Sequence, residues 1–544
     1  MSNDDIAGYL QMLDVLIRKG RIVDGTGNPW FNGDVGIRNG IIEKVGHVNA
    51  EAGEIINATG LFVCPGFIDS HAHSDFSILA NPLAESKIRQ GVTTEVIGNC
   101  GLSAAPIKRE RLDLLKKYVE ALTKEIKLDW DWSSVGDYLR RIESGGSSIN
   151  IVPLVGHGTT RIAVMGFENR VPFSDELEEM KGLVAQACND GVRGLSSGLM
   201  YPPGCFADKT ELIELLRVVA KYGGIYTSHI RDQSERLIEA VQEAIEIGNE
   251  AGVPVHISHH QAAGMESWGK VRNSLGVVDK ARDGGIDITV DVYPYTAGST
   301  FLSIAIPRWA HEGGVDELIR RIRDPETRFR LRTEIENDPS CGLGRAWDPE
   351  NMMINYCKKN KVLEGKTLAE IARSKGKDWI DTMLDLLVEE EHAVGMVVFL
   401  MWEEDVCAIM KHPAAMIGSD SSAVAPYGVL GAGKPHPRAY GAYPRVLREY
   451  VMNKKVMTLE EAIKKMTSQP AQRFGLCKRG LIKEGAFADI TIFDLDKVKD
   501  KAMYAEPHQY AEGIEYVLVN GVIVIASGEH TRAVPGRILR REVS

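Results

Sequence analysis

His71 and His73 stand two residues apart in the segment FIDSHAHSD, residues 67–75, with carboxylates at Asp69 and Asp75. On a strand, side chains two apart project to the same side, so both imidazoles can offer a nitrogen to one metal ion. The pattern H-x-H also arises by accident, and further ligands have to come from elsewhere in the chain. Five single residues qualify, each closing an apolar run: Cys100 after TTEVIGN, His157 after IVPLVG, His229 in GIYTSH, His259 in VPVHISH and Asp420 in AMIGSD. Imidazole and thiolate suit zinc, and a catalytic zinc keeps one position open for water. Each residue also has a plain structural reading. Cys100 can be a small buried hydrophobe, His229 can stack on Tyr226 or bond a loop carbonyl, and Asp420 can cap a following helix. His256, His260, His311, His392, His412, His508 and His530 read as structural or surface residues. His256 and His259 are an odd number apart and so face opposite sides of a regular strand; SHHQ at the strand end favours His259.

The elements that must position these residues alternate in kind. Strand-like runs are separated by helical segments such as ERLIEAVQEAIEIGNEAG, whose apolar residues recur at three and four spacing. Eight strand-then-helix units over about 400 residues predict an α/β fold, a (β/α)8 TIM-like barrel spanning residues 67–476, with its chemistry at the C-terminal ends of the strands. The candidate residues fall at such ends. Residues 301–394 are charged, mostly helical in pattern and weak in strands, and read as a helical insertion after a late strand. Both chain ends read as β-ribbon. Apolar runs flank Lys19-Gly20, Asn39-Gly40 and Asn520-Gly521, and Asn-Gly in that setting is a strong hairpin signal. The economical arrangement pairs residues 1–66 with 477–544 in one small sheet domain.

With 544 residues the chain exceeds the ~250–300 at which a single core stops growing, so more than one domain is expected. A hydrophobic fraction of 44% and a charged fraction of 26% are those of a soluble globular protein. A net charge of −11 argues against nucleic acid or an anionic membrane as the main partner. No apolar run approaches the ~18–20 residues of a membrane span. The acidic start MSNDDIAGYLQMLD lacks the order of a signal peptide, so the cytoplasm is the expected compartment. The eight cysteines include no C-x-x-C pair, and neither a disulfide framework nor a zinc ribbon is suggested.

CPGFIDSHAHSD resembles the signature of the amidohydrolase superfamily, metal-dependent hydrolases on a (β/α) barrel flanked by a β-sandwich made from both chain ends. QGVTTEVIGNCGLSAAP, GLSSGLMYPPG, SHIRDQS, HISHHQAAG, DVYPYTAGST and IGSDSSAV followed by HPRAYGAYPRVL resemble its D-aminoacylase branch, the N-acyl-D-amino-acid deacylases. The likeness runs from about Asp14 to Arg537. It implies hydrolysis of the amide bond of a small N-acyl-D-amino acid, giving a D-amino acid and a carboxylic acid. Many amidohydrolases bridge two metals with a carboxylated lysine on the fourth strand, but that strand here, GVRGLSSGLM, has none. In the deacylases a cysteine of the second strand takes over, and Cys100 sits at the matching position. The resemblance implies one tight Zn2+ held by Cys100, His229 and His259. It implies a weaker second position at His71 and His73, with Cys100 as its bridge.

An amine leaving group must gain a proton, so a carboxylate near the water has to take that proton and then deliver it. Asp420 is the candidate. By resemblance, Tyr293 supplies a donor to the oxyanion, and Tyr295, of the same parity, is the competing choice. The resemblance also implies that Arg438 binds the substrate carboxylate, which suits a guanidinium fork, and that Ser299 can assist. Where the branch reads SHHK this chain reads SHHQ, so Gln261 can donate a hydrogen bond there but brings no charge. Lys434 is a candidate replacement, set against its reading as a solvated loop lysine. Two other functions compete: a cyclic amidase (dihydroorotase- or hydantoinase-like) or dipeptidase of the same superfamily, and a ligand-binding barrel with a structural metal. The missing lysine speaks against the cyclic amidases, and the structural-metal reading leaves Asp420 without a task.

Overall fold

The computed structural model describes residues 12–337 and 347–541, so most of the acidic start and a short part of the expected insertion lie outside the described residues. The fold is α/β. Val92–Ile97 pairs in parallel with Phe67–Asp69 on one side and Asn150–Pro153 on the other. Just beyond Asn150–Pro153, Val155–Gly156 begins a second parallel sheet. It continues through Gly194–Gly198, Ile225–His229, Val255–Ile257, Ile288–Val292 and Ala415–Ile417. All these strands are buried along their whole length. Burial on both faces is why they read as near-continuous apolar or small-residue runs and not as alternating ones. Helices lie between successive strands. Leu237–Ala251 buries Leu237, Val241, Ala244, Ile245 and Gly248 at the expected spacing and ends on Gly252 in the left-handed conformation.

The first and last parallel strands meet at a seam. Asp69 Oδ1 accepts the Ser419 amide at 2.8 Å, and Oδ2 accepts the Ser419 hydroxyl at 2.6 Å and Lys87 Nζ at 2.9 Å. Lys87 also donates to the Ser421 carbonyl at 2.9 Å and lies 2.7 Å from Glu95 Oε1, and Ala72 bridges Ser421 in parallel. The side chains of Lys87, Asp69 and Glu95 are fully buried.

The two chain ends share one nine-stranded sheet, joined where Phe62–Pro65 pairs antiparallel with Ile490–Phe493. Asn39-Gly40 and Asn520-Gly521 turn antiparallel hairpins as expected, with φ of 51°, 77°, 50° and 80°. Lys19-Gly20 does not. Leu13–Ile22 is a single strand that stays paired with Phe31–Arg38 on both sides of a bulge between Ile17 and Gly20. The insertion is mostly helical, with one strand wholly inside it. Met352–Cys357 forms an antiparallel sheet with Ala297–Phe301 and Val394–Phe399, beside helices such as Trp379–Glu389. MMINYC is short and almost wholly buried, so it shows no alternation to read. No helix among the described residues is long and apolar enough to cross a membrane.

Removing one partner from a buried ionic cluster typically costs about 3–5 kcal/mol. Lys87→Met is therefore expected to lower the unfolding free energy by about that amount in urea titration. A loss below about 1 kcal/mol would show that the seam does not depend on this charge.

Candidate metal centre

Three candidate residues follow strand ends in a conformation that non-glycine residues rarely adopt: Cys100 has φ 54°, His259 31° and Asp420 50°. Each such residue costs on the order of 1–3 kcal/mol and persists when its surroundings over-determine it. Asp420 donates its amide to the His71 carbonyl at 2.8 Å, and His259 donates its own to Asp291 Oδ1 at 2.7 Å. The Cys100 carbonyl is packed so tightly against Gly198 that a Cβ there would sit 2.1 Å away. Turned this way, His71, Cys100, His259 and Asp420 bring four ligand atoms within 4.8 Å of one another. Cys100 Sγ lies 3.3 Å from His71 Nε2 and 3.4 Å from His259 Nε2. Asp420 Oδ1 is 3.2 Å from His73 Nε2 and 3.5 Å from His71 Nε2. The His229 ring packs edge-on against His259 with centroids 4.4 Å apart.

The electrostatics match a cation site. Burial opposes ionisation of Cys100, but the His71 and His259 imidazoles hold its thiol well below the ordinary range. Burial likewise opposes ionisation of Asp420, and Arg438 with the same imidazoles overrides it. His71 is pushed well up, against burial, by Cys100 and Asp291; His73 is pushed up to about 9, against burial, by Asp420 and Cys100. Protons on these rings balance a thiolate and a carboxylate, a charge that a divalent cation can supply instead. His229 adds a second indication: it is buried, its ring nitrogens make no hydrogen bond of ordinary geometry, and it interacts with the Cys100 thiol, a condition that native structures rarely leave unexplained. Thiolate, imidazole and carboxylate donors fit a transition-metal ion.

A cavity of about 220 Å³ opens on this cluster and is also lined by Arg438, Tyr293, Ser299 and Gln261. Arg438 Nη1 lies 2.9 Å from Asp420 Oδ2, its Nη2 donates to the Ser299 carbonyl at 3.3 Å, and its guanidinium sits 4.6 Å over the Tyr293 ring. Ser299 Oγ accepts from Asn355 at 3.0 Å. Tyr295 instead lies under Arg445, with the guanidinium 4.8 Å from its ring, which separates two residues that parity alone could not. Lys434 donates to the Ala505 carbonyl at 2.9 Å and does not line the cavity. His157 starts the helix His157–Met165 and turns to Glu211, 2.8 Å away, leaving the cluster. No helix begins at Asp420, so it is not a cap.

Two residues escaped the sequence reading. Asp291 accepts from His71 Nδ1 at 3.2 Å and from His256 Nε2 at 2.6 Å, so one carboxylate orients a candidate ligand from behind. Its signal was a charged residue inside the otherwise apolar run DITVDV. Gln233, within the quoted SHIRDQS, reaches His259 Nδ1 at 3.0 Å.

Residues 54–525 match the Amidohydrolase family. The chain is 35% identical over 535 residues to an N-acyl-D-glutamate deacylase of Alcaligenes xylosoxydans xylosoxydans, covering 98% of each chain. Among solved structures it is similar to an N-acyl-D-glutamate deacylase from Bordetella bronchiseptica complexed with zinc and a phosphonate inhibitor that mimics the reaction's tetrahedral intermediate. There the identity is 33% and the TM-score 0.81, over 97% of this chain and 100% of that one. It is also similar to a D-aminoacylase with a binuclear metal center showing one-metal activation and second-metal attenuation, with 33% identity and a TM-score of 0.82 over the same shares.

Cys100→Ala removes the sulfur on which two imidazoles converge. It is expected to lose tightly held metal, read as metal content after gel filtration, whereas His71→Ala should keep more of it. Stoichiometric metal in Cys100→Ala would rule the thiolate out as a ligand.

Proposed function

The chain belongs to the amidohydrolase family, and on that footing we propose that it is a zinc-dependent N-acyl-D-amino-acid deacylase. It hydrolyses linear amides to a D-amino acid and a carboxylic acid, and its compartment is the cytoplasm. One observation carries the reading: Cys100, His259 and Asp420, three of the four clustered donors, line one cavity together with His73, His229 and a buried arginine. Metal ligands, a proton carrier and a carboxylate receptor thus surround one space. The class of substrate is supported by the similarity to deacylases of N-acyl-D-amino acids over nearly the whole chain.

The parallel strands are read as one closed (β/α)8 barrel of residues 67–476, supported by the Ala72–Ser421 bridge and by the near-continuity of Asn150–Pro153 with Val155–Gly156. The terminal sheet is read as a β-sandwich domain of residues 1–66 and 477–544. Its support is the apolar cluster of Ile17, Ile37, Val63, Ile490 and Ile492. Residues 301–394 are read as an insertion in the barrel.

Cys100, His229 and His259 would hold the tight zinc, and His71 and His73 the weaker second position. When bound, zinc supplies a Lewis acid that makes water nucleophilic near neutral pH and polarises the acyl carbonyl. Asp420, kept as a carboxylate, starts as the proton acceptor and then delivers that proton to the departing amine nitrogen. Tyr293 faces the oxyanion. Arg438 receives the substrate carboxylate; its Nε is buried without a hydrogen-bond partner and is one of the guanidinium donors that the contacts with Asp420 and Ser299 leave open. Ser299 lines the same wall, where Gln261 takes the position of the branch's lysine.

Turnover of N-acetyl-D-amino acids is expected to exceed that of the L enantiomers, to vanish on chelation and to return with zinc. Equal rates for both enantiomers, or indifference to chelation, would overturn the reading. Arg438→Ala removes one partner of a buried charged contact, which costs about 2–5 kcal/mol, roughly 30- to several-thousand-fold. It should lower kcat/KM by that order on N-acyl amino acids and far less on the matching neutral amides. Equal loss on acids and amides would show that the free carboxylate is not what Arg438 reads.

A further inference from the structure

Four side chains lining the cavity form an unbroken hydrogen-bond chain. Tyr293 Oη donates to Gln261 Oε1 at 2.7 Å, Gln261 Nε2 donates to Gln233 Oε1 at 2.7 Å, and Gln233 Nε2 meets His259 Nδ1 at 3.0 Å. Both middle links are primary amides. Turning a carboxamide by about 180° exchanges its donor and acceptor at nearly unchanged positions. The chain therefore has two self-consistent directions, and reversing one link reverses all of them.

His259 decides between the two. In the direction above, Nδ1 accepts, so Nε2 carries the ring proton toward Cys100 Sγ at 3.4 Å and has no lone pair to offer. An imidazole that ligates through Nε2 must present a lone pair there and carry its proton on Nδ1. Nδ1–H then needs an acceptor, and Gln233 serves only by turning Oε1 toward it. Gln233 Nε2 then faces Gln261, which must turn Oε1 to receive it, and Gln261 Nε2 donates to the phenol oxygen of Tyr293. The Tyr293 hydroxyl proton, consumed in the first direction, is released. Gly298 lies beside that oxygen, and even a Cβ there would be 3.4 Å away, so the freed O–H has room to turn.

We propose that this relay couples ligation by His259 to the donor at Tyr293: when His259 ligates, the Tyr293 hydroxyl becomes free to donate to the oxyanion formed on the substrate. Gln233 and Gln261 are positioning residues in it. The inference rests on the zinc-deacylase reading. It also gives Gln261 a task that neither a carboxylate, which only accepts, nor an apolar side chain can perform.

Two variants of Gln261 separate this role from packing. Gln261→Glu puts an acceptor-only group opposite Tyr293 and keeps the hydroxyl proton engaged, while Gln233 remains free to turn Oε1 to His259. Gln261→Met leaves the proton unclaimed. The expected order of kcat is parent, then Met within about tenfold, then Glu lower by about 10²–10³-fold, the magnitude of losing one oxyanion donor. Reading kcat and not KM removes the repulsion between a new carboxylate and an anionic substrate. Zinc affinity of Gln261→Glu, from chelator competition, should stay within a few fold of the parent. A Met variant as slow as the Glu variant, a Glu variant with parental kcat, or zinc affinity lost in step with kcat each overturns the relay. A parent chain whose deacylation ignores zinc would instead fail the underlying reading, and titration of the parent with zinc tells the two failures apart.

Discussion

Asp69 accepts the backbone amide and hydroxyl of Ser419 and the ammonium of Lys87, and through these bonds one buried carboxylate ties the first parallel strand to the last. The metal cluster stands on that seam. His71 and His73 leave it from one side and Asp420 from the other, so any slip between the strands would part the imidazoles from the carboxylate. Two further bonds fix the spacing, one from Lys87 to the Ser421 carbonyl and one from the Asp420 amide to the His71 carbonyl. A buried ion pair is weak evidence of stability, because desolvation offsets much of the attraction. Here its geometry sets a register, and register is what the site needs.

Above the seam, orientation comes from groups that never face the cavity. Asp291 accepts from two imidazoles and from the His259 backbone, so a single carboxylate on Ile288–Val292 governs residues from two other strands. The left-handed residues Cys100, His259 and Asp420 add stiffness of another kind. Each turns a side chain sharply at the end of a strand, and each is held by a backbone contact on the neighbouring segment. Strain of this sort is tolerated where the surrounding packing admits no alternative. It leaves the ligand atoms converged before any ion arrives.

Much of this was legible in the sequence, for identifiable reasons. Buried parallel strands write themselves as apolar runs, and all but one of the residues singled out at their ends converge. Asn-Gly marked two hairpins because both residues of such turns need positive φ. Lys19-Gly20 looked the same and is a bulge, since a bulge and a turn ask for the same local chemistry and only the strand paired across from them tells which forms. Parity put Tyr293 and Tyr295 on equal terms, whereas in the structure Tyr293 lines the cavity and Tyr295 packs under Arg445. His157 sat at a strand end yet found Glu211, a partner remote in sequence. Lys87 and Gln233 were illegible for one shared reason: their importance lies in what they touch, and their partners come from segments that no local pattern connects; Asp291 showed only as a charge inside a strand-like run.

The shared terminal sheet has a consequence in time. Cys64 donates to the carbonyl of Thr491, 427 positions further along the chain. At roughly 5–20 residues per second of synthesis, the N-terminal strands wait on the order of 20–90 s before the segment that completes their sheet exists. Throughout that interval Phe62–Pro65 presents an unpaired edge, the kind of surface that invites association with the wrong chain. A nascent molecule carries that edge until Ile490–Phe493 emerges, so a strand most open to mispairing is also among the first to be made.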